Sequence, residues 1–380
     1  MLALRLTRGT HPLVLLRRLL VAAAAAGVGF LLLSTLGYAV GHPAHSAASS
    51  LRLLWCLVPL AATVQFAVAV ARTDPSTRPR PGLSAVGLGP ARLTALAAAS
   101  TAVACTLGST VALLFYLHLR GDITGLPFDG AAADLLAADR PIPLAAALTL
   151  LAALPVAAAT AAGLALRPRP ARPDAGTSGV PGGLPWGVAL LATGLAVETY
   201  AGRSGGSPAA LPGRFDAGPL GVLVGWTLTA AGLALAGPAL TYVAGRLLQT
   251  LRPGATRLLA GRVLMSEAGR IGRPLGIVCA VASGAVAVAT VGTGDGLADD
   301  FGPLTVLGAT LVVACTLATL LTAALESKQC RTHTTQALLR LGAPPTVLRT
   351  SALLRTAALL AVFAPLTWAV ATLAAAPLRG

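Results

Sequence analysis

Long apolar runs separated by short polar or basic breaks recur along the whole chain. A helix needs about 20 apolar residues to cross roughly 30 Å of hydrocarbon. Nine runs are of that order: Leu19–Val40, Leu53–Ala71, Leu93–Leu119, Ile142–Leu166, Leu184–Ala201, Leu220–Gly245, Leu275–Val291, Leu304–Leu325 and Thr350–Ala376. The pattern predicts an all-α integral membrane protein. The first run follows Arg5, Arg8, Arg17 and Arg18, but no small-residue cleavage site follows a short apolar core, so it reads as a retained anchor and not a cleaved signal.

Composition removes the soluble alternatives. Of 380 residues 55% are hydrophobic and 11% charged, with a mean hydropathy of +0.78, which leaves too little polar surface to clothe a water-soluble globule. Any chemistry must therefore occur in or beside the bilayer. The net charge of +15 reports loop orientation and gives no sign of nucleic-acid binding. With the N-terminus inside, the cytoplasmic breaks carry 21 of the 28 Lys and Arg residues, as the positive-inside rule requires. Acids gather in the outer loops, with Asp122, Asp129, Asp134 and Asp139 in one and Asp295, Asp299 and Asp300 in another. A basic loop GRSGGSPAALPGRFDAG from Gly202 forms an outer tip. Nine spans put the C-terminus outside, whereas a tenth, as two complete repeats require, would put it inside. The 27 arginines against one lysine point to a GC-rich, bacterial genome and so to a cell membrane.

Cysteine and histidine offer little chemistry. Cys56, Cys105, Cys279, Cys315 and Cys330 show no CxxC spacing, and four lie in apolar runs as small core residues. His42 and His45 form an HPAH loop with no second cluster to complete a metal site. Nothing predicts a bound metal.

The breaks themselves repeat. Glu326 to Arg355 reads ESKQCRTHTTQALLRLGAPPTVLRTSALLR, and a weaker copy, RTDPSTRPRPGLSAVGLGPAR, runs from Arg72 to Arg92. GLGPARL from Gly87 matches RLGAPPTVL from Arg340, and internal repetition of this kind organises a fold. Each copy is preceded by a basic amphipathic start, LALRLTRGTHPLVLLRR from Leu2 and LLAGRVLMSEAGRIGRP from Leu258. In the second start Leu259, Val263 and Ile271 share one face while Arg262, Arg270 and Arg273 point to water or headgroups, so an interfacial helix is expected before the span at Leu275. The expected organisation is a first repeat over 1–166, a Pro/Gly/Arg-rich linker over 167–183, a spacer hairpin over 184–245 and a second repeat over 246–380 that lacks a closing span.

An Arg-bearing helix ahead of a span, then a charged exit from the next span leading through ALLRLGAPPTVLR into a third, resembles the FtsX-like permease family, the membrane subunits of MacB- and Lol-type ABC transporters. The resemblance covers nearly the whole chain in layout. It implies a partner ATPase docked on these cytoplasmic segments, with ATP and magnesium used by that partner, and a homodimer or heterodimer of permeases in the lipid bilayer. The chain fits that division of labour, because a phosphate-binding loop needs Gly-Lys-Ser/Thr after a glycine-rich turn and the only lysine, Lys328, stands in ESKQC. The coupling residues so implied are Arg331, Leu338, Leu339, Arg340, Leu341, Gly342, Pro344 and Pro345, with Leu88, Gly89 and Arg92 in the weaker copy. Gly342 and the Pro344-Pro345 pair are expected to end a short helix that begins near Thr334, making an elbow. Leu338, Leu339 and Leu341 would fill a groove on the partner, and Arg331, Arg340 and Arg349 would meet its acids or lipid headgroups. Members usually carry large extracellular domains between the first two spans of a repeat. Here those loops are GHPAHSAASS from Gly41 and GTGDGLADDFG from Gly292.

One carboxylate, Glu198 in LLATGLAVETYAGR, falls inside a span, where an ionisable group is a functional candidate by default. Its place one turn from Gly202 and close to Arg203 predicts that it reaches the interface and pairs there. Arg355, a turn into the last span, is expected to snorkel. Two other function classes stay open: an ion- or proton-coupled secondary transporter using Glu198, and a non-transporting FtsX-type scaffold or regulator. No Ser/His/Asp, paired-carboxylate or metal-ligand constellation suggests an enzyme.

Overall fold

Lipid offers no hydrogen-bond partners, so a spanning backbone must satisfy its own polar groups, and this Ala- and Leu-rich chain does so with helices. The computed structural model describes residues 12–74, 89–123, 127, 130–134, 136–167, 182–203, 220–250, 254–291, 302–342 and 344–379. Of these residues 89% are helical and none forms a strand. The protein is an all-α integral membrane protein. Nine helices occur among the described residues: α1 Pro12–Gly41, α2 Ser46–Thr73, α3 Pro90–Arg120, α4 Leu144–Leu166, α5 Leu184–Arg203, α6 Leu220–Thr250, α7 Ala255–Val291, α8 Pro303–Arg340 and α9 Pro345–Arg379. All but α5 are long and apolar enough to cross a membrane, which makes eight such helices against the nine runs in the sequence.

The described part of the first basic start, Pro12 to Arg18, is continuous with the span that follows, with Arg17 and Arg18 inside α1, and in place of a separate interfacial helix before Leu275 α7 runs unbroken for 37 residues through Pro274. Pro274 removes one backbone bond, but the helix is clamped on both sides of it. Gly272 lies against Pro238, and Gly276 against the Leu233 carbonyl, so closely that neither position has room for a Cβ. There is likewise no separate helix at Thr334, because α8 continues for 38 residues to Arg340. The stretch from Glu326 to Leu341 holds no Gly or Pro to stop it.

The chain divides into two compact units, one over 1–170 with 302–315, the other over 171–301 with 316–380. In the first, α1 packs on α2, α3 and α4, and α3 packs on α4. Gly108 of α3 lies so close to Ala22 and Ala25 of α1 that a side chain there would strike the Ala22 carbonyl, the close backbone approach that small residues permit in lipid. Its core joins Leu33, Ala112, Tyr116, Leu136, Ala147 and Leu151. The Tyr116 hydroxyl donates to the Leu136 carbonyl at 3.5 Å. Arg120, buried, donates to the carbonyls of Ala138 and Arg140 and pairs with Asp122, so Ala138 and Arg140 are held against the end of α3. The opening stretch of α8 belongs here too, with Leu311 against Gly27 and Gly308 beside Trp55.

In the second unit α6 packs closely on α5 and α7, and α9 packs on α5, α6 and α7. The 184–245 hairpin is therefore integrated with the helices of the second repeat. The core is Leu233, Cys279, Phe363 and Val370.

Candidate functional site

The elbow between α8 and α9 is built from its residues outward. Leu341 N–H donates to the Ala337 carbonyl and Gly342 N–H to the Leu339 carbonyl, both at 3.0 Å, which closes the last turn of α8. Gly342 has φ +87°, a left-handed conformation that costs a Cβ-bearing residue about 1–2 kcal/mol. Pro344 then leads into Pro345, the first residue of α9, whose fixed φ suits a helix start. Pro344 and Pro345 are exposed, as are Leu339 and Arg340, and Leu341 is 83% exposed. Leu338 sits in the same final turn. Arg349 is exposed in the first turns of α9.

Arg331 is not free to meet a partner. Its Nε lies 2.7 Å from Glu267 Oε1 of α7, and its Nη2 donates to Ser327 Oγ at 2.8 Å. Beside it Arg270 Nη1 donates to Cys330 Sγ at 3.2 Å. The expectation that Arg331 faces a partner's acids is therefore corrected: an acid of the chain itself has taken it. Arg262, Arg270 and Arg273 are exposed as the amphipathic pattern of α7 predicts, and Glu267 is buried on the opposite side with Ala260, Leu264 and Ala268.

The first repeat holds its leading helix at the corresponding place. Arg17 Nη1 donates to Thr73 Oγ1 at 3.1 Å, and Arg18 pairs with Asp74. Leu88 lies outside the described residues; Gly89 precedes α3, which starts on Pro90 with Arg92 exposed in its first turn. Both α3 and α9 begin on proline.

Glu198 corrects a second expectation. It does not reach an interface: it is 1% exposed between α5 and α6, and Thr229 Oγ1 donates to its Oε1 at 3.1 Å. Its Oε2 has no hydrogen-bond partner among the described residues. Arg355 is half-buried and donates to the Ser351 carbonyl within its own helix.

No family model, curated protein or solved structure matches this chain. What the site does follows from its own residues. His42 stacks on Tyr38 with ring centroids 4.4 Å apart, Arg52 caps that tyrosine at 3.4 Å, and His45 meets His42 edge-on. The HPAH loop is an aromatic stack, and no group of metal ligands occurs among the described residues. Four cysteines are buried, with Thr63 beside Cys315 and Thr367 beside Cys279.

The two ion pairs and the Glu198–Thr229 contact were missed by reading along the sequence. Signals existed: Glu267 is the one acid in LLAGRVLMSEAGRIGRP, and Asp74 follows directly on the second span. A pairing between helices leaves no mark in local spacing, so neither could be joined to its partner.

Proposed function

We propose that this chain is the membrane subunit of an FtsX-like ABC transporter, coupling ATP hydrolysis by a separate ATPase to movement or extraction of a hydrophobic or amphipathic substrate. The observation that carries this reading is the exposed Leu339-Arg340-Leu341 elbow at the tip of a braced stalk. From Leu325, the last residue of its apolar run, to Arg340, α8 extends about 22 Å. A leucine at 83% exposure, beside an arginine and fixed by a glycine and two prolines, is an anchor that a partner would cover. The anchor-and-charge pattern suits a groove with acidic edges. Arg331 and Glu267 brace the stalk, so load applied at the elbow passes into α7 instead of bending α8.

The test is capture of the tagged full-length chain from host membranes, with captured proteins scored for phosphate-binding-loop ATPases by mass spectrometry. The wild type is expected to retain one such ATPase. Leu341→Asp and Arg340→Glu should each reduce its recovery by about 30-fold, the equivalent of ~2 kcal/mol at a central contact, with the level of the chain itself unchanged. Recovery of no ATPase with the wild type, or undiminished recovery with both variants, refutes the proposal.

A further inference from the structure

The α5–α6 crossing is lined with glycine on both sides. A Cβ at Gly187 would lie 2.6 Å from the Ala236 amide nitrogen, and one at Gly232 2.6 Å from that of Leu191. Gly194 faces Thr229, and a Cβ at Gly225 would lie 2.5 Å from Cγ of Glu198. Backbones this close leave no space for a side chain at any of these four positions. Glu198 is set into it at 1% exposure.

An ionised carboxylate offers about four lone-pair sites and needs donors for them. Here Thr229 supplies one, to Oε1, and Oε2 is left without a partner among the described residues. Gly225 faces Glu198 from α6, and one turn along α5 Leu195 packs against Ala374 and Ala375 of α9 and Ala287 of α7. The charged or titratable residues toward this end of the packed helices are Tyr200, 78% exposed, Arg203 at the end of α5 and Arg379 at the end of α9. A buried unpaired charge is among the costliest groups a fold can carry, whereas a neutral acid needs only ordinary hydrogen bonds.

We propose that Glu198 is a proton-binding site within the membrane region, with the proton carried on the carboxyl group while α5 and α6 are packed together. This inference is independent of whether an ATPase docks at the elbow. It assigns a ligand, the proton, to the glutamate set into the α5–α6 seam, which the coupling reading does not use.

The chain contains three glutamates, Glu198, Glu267 and Glu326, which makes infrared spectroscopy decisive. The full chain, labelled with carboxyl-13C glutamate and reconstituted in lipid vesicles, should show one neutral-carboxyl C=O band at neutral pH that moves with the label. Glu198→Gln should abolish that band. Should Glu198→Gln fail to fold, the Glu267→Gln/Glu326→Gln double variant leaves Glu198 as the sole glutamate, and the band must survive in it. A spectrum showing only ionised glutamate, or a neutral band that persists in folded Glu198→Gln or vanishes in the folded double variant, overturns the proposal.

Discussion

The two segments paired by the sequence match each fasten a leading helix to the exit of the helix that follows, with opposite charges. In the first, the base is on the leading helix and the acid at the exit, Arg18 to Asp74; in the second, the acid leads and the base follows, Glu267 to Arg331. They also sit at different distances, along their own helices, from the apolar runs. Arg18 adjoins Leu19 and Asp74 lies three residues past Ala71, so that pair is within about 5 Å of the apolar boundary. Glu267 precedes Leu275 by eight residues and Arg331 follows Leu325 by six, which agree on a pair about 9–12 Å beyond it. The two fastenings share a place, between a leading helix and the exit of the following one, and not their residues, since Coulomb attraction is indifferent to which helix carries which sign. The outward shift in the second repeat goes with a longer stalk, and that stalk carries the exposed elbow.

The largest expected effect comes from breaking the outer pair. Side chains of Glu267 and Arg331 are 10% and 30% exposed, so Glu267→Arg sets two poorly hydrated cations against each other. It should cost about 3 kcal/mol and lower the thermal unfolding midpoint of the purified chain in detergent. Glu267→Arg combined with Arg331→Glu recreates the sign order of the first repeat and should recover at least half of that loss. If the double variant is no better than the worse single one, equivalence of the two fastenings is refuted.

A smaller effect is expected from the inner pair. Arg18 is 41% exposed and lies where water and headgroups compete for it, so Asp74→Arg should cost about 1 kcal/mol. Adding Arg18→Asp should recover most of it. Equal losses from Asp74→Arg and Glu267→Arg would show that distance from the apolar runs makes no difference to the two pairs.

How much of this was legible in sequence depends on the range of the forces involved. The helices were legible because an apolar run in lipid has one economical backbone, and the elbow was legible because Gly342, Pro344 and Pro345 act through local dihedral limits. Failures came where distant residues decide. An interfacial helix was expected before Leu275 because the local sequence gives no sign that Gly272 and Gly276 lie against Pro238 and Leu233 of α6, contacts on both sides of Pro274. Arg331 looked available because Glu267 is 64 residues away along the chain. Glu198 looked interfacial from its distance to Gly202, whereas its burial depends on Gly225 and Thr229, on another helix, leaving room for it.

The smallest effect separates the two elbows, and there the repeats should differ in kind. Gly342 has φ +87° with nothing within 4 Å of a Cβ placed on it, and Gly89, also in open space, has φ −65°. Gly342→Ala therefore meets no steric neighbour and pays only for left-handed backbone, about 1 kcal/mol. Gly89→Ala pays no such cost. It loses a few tenths of a kcal/mol as a poorer helix cap and regains about as much from a stiffer unfolded chain, so its midpoint should not move. Paired thermal unfolding of the two variants measures this directly. A drop at Gly342 with none at Gly89 would show that only the second elbow is set by a backbone conformation that glycine alone adopts cheaply, which matches its place on the projecting stalk. Equal drops would mean that both elbows are held in the same strained geometry, and the distinction between a braced outer elbow and a plain inner turn would be lost.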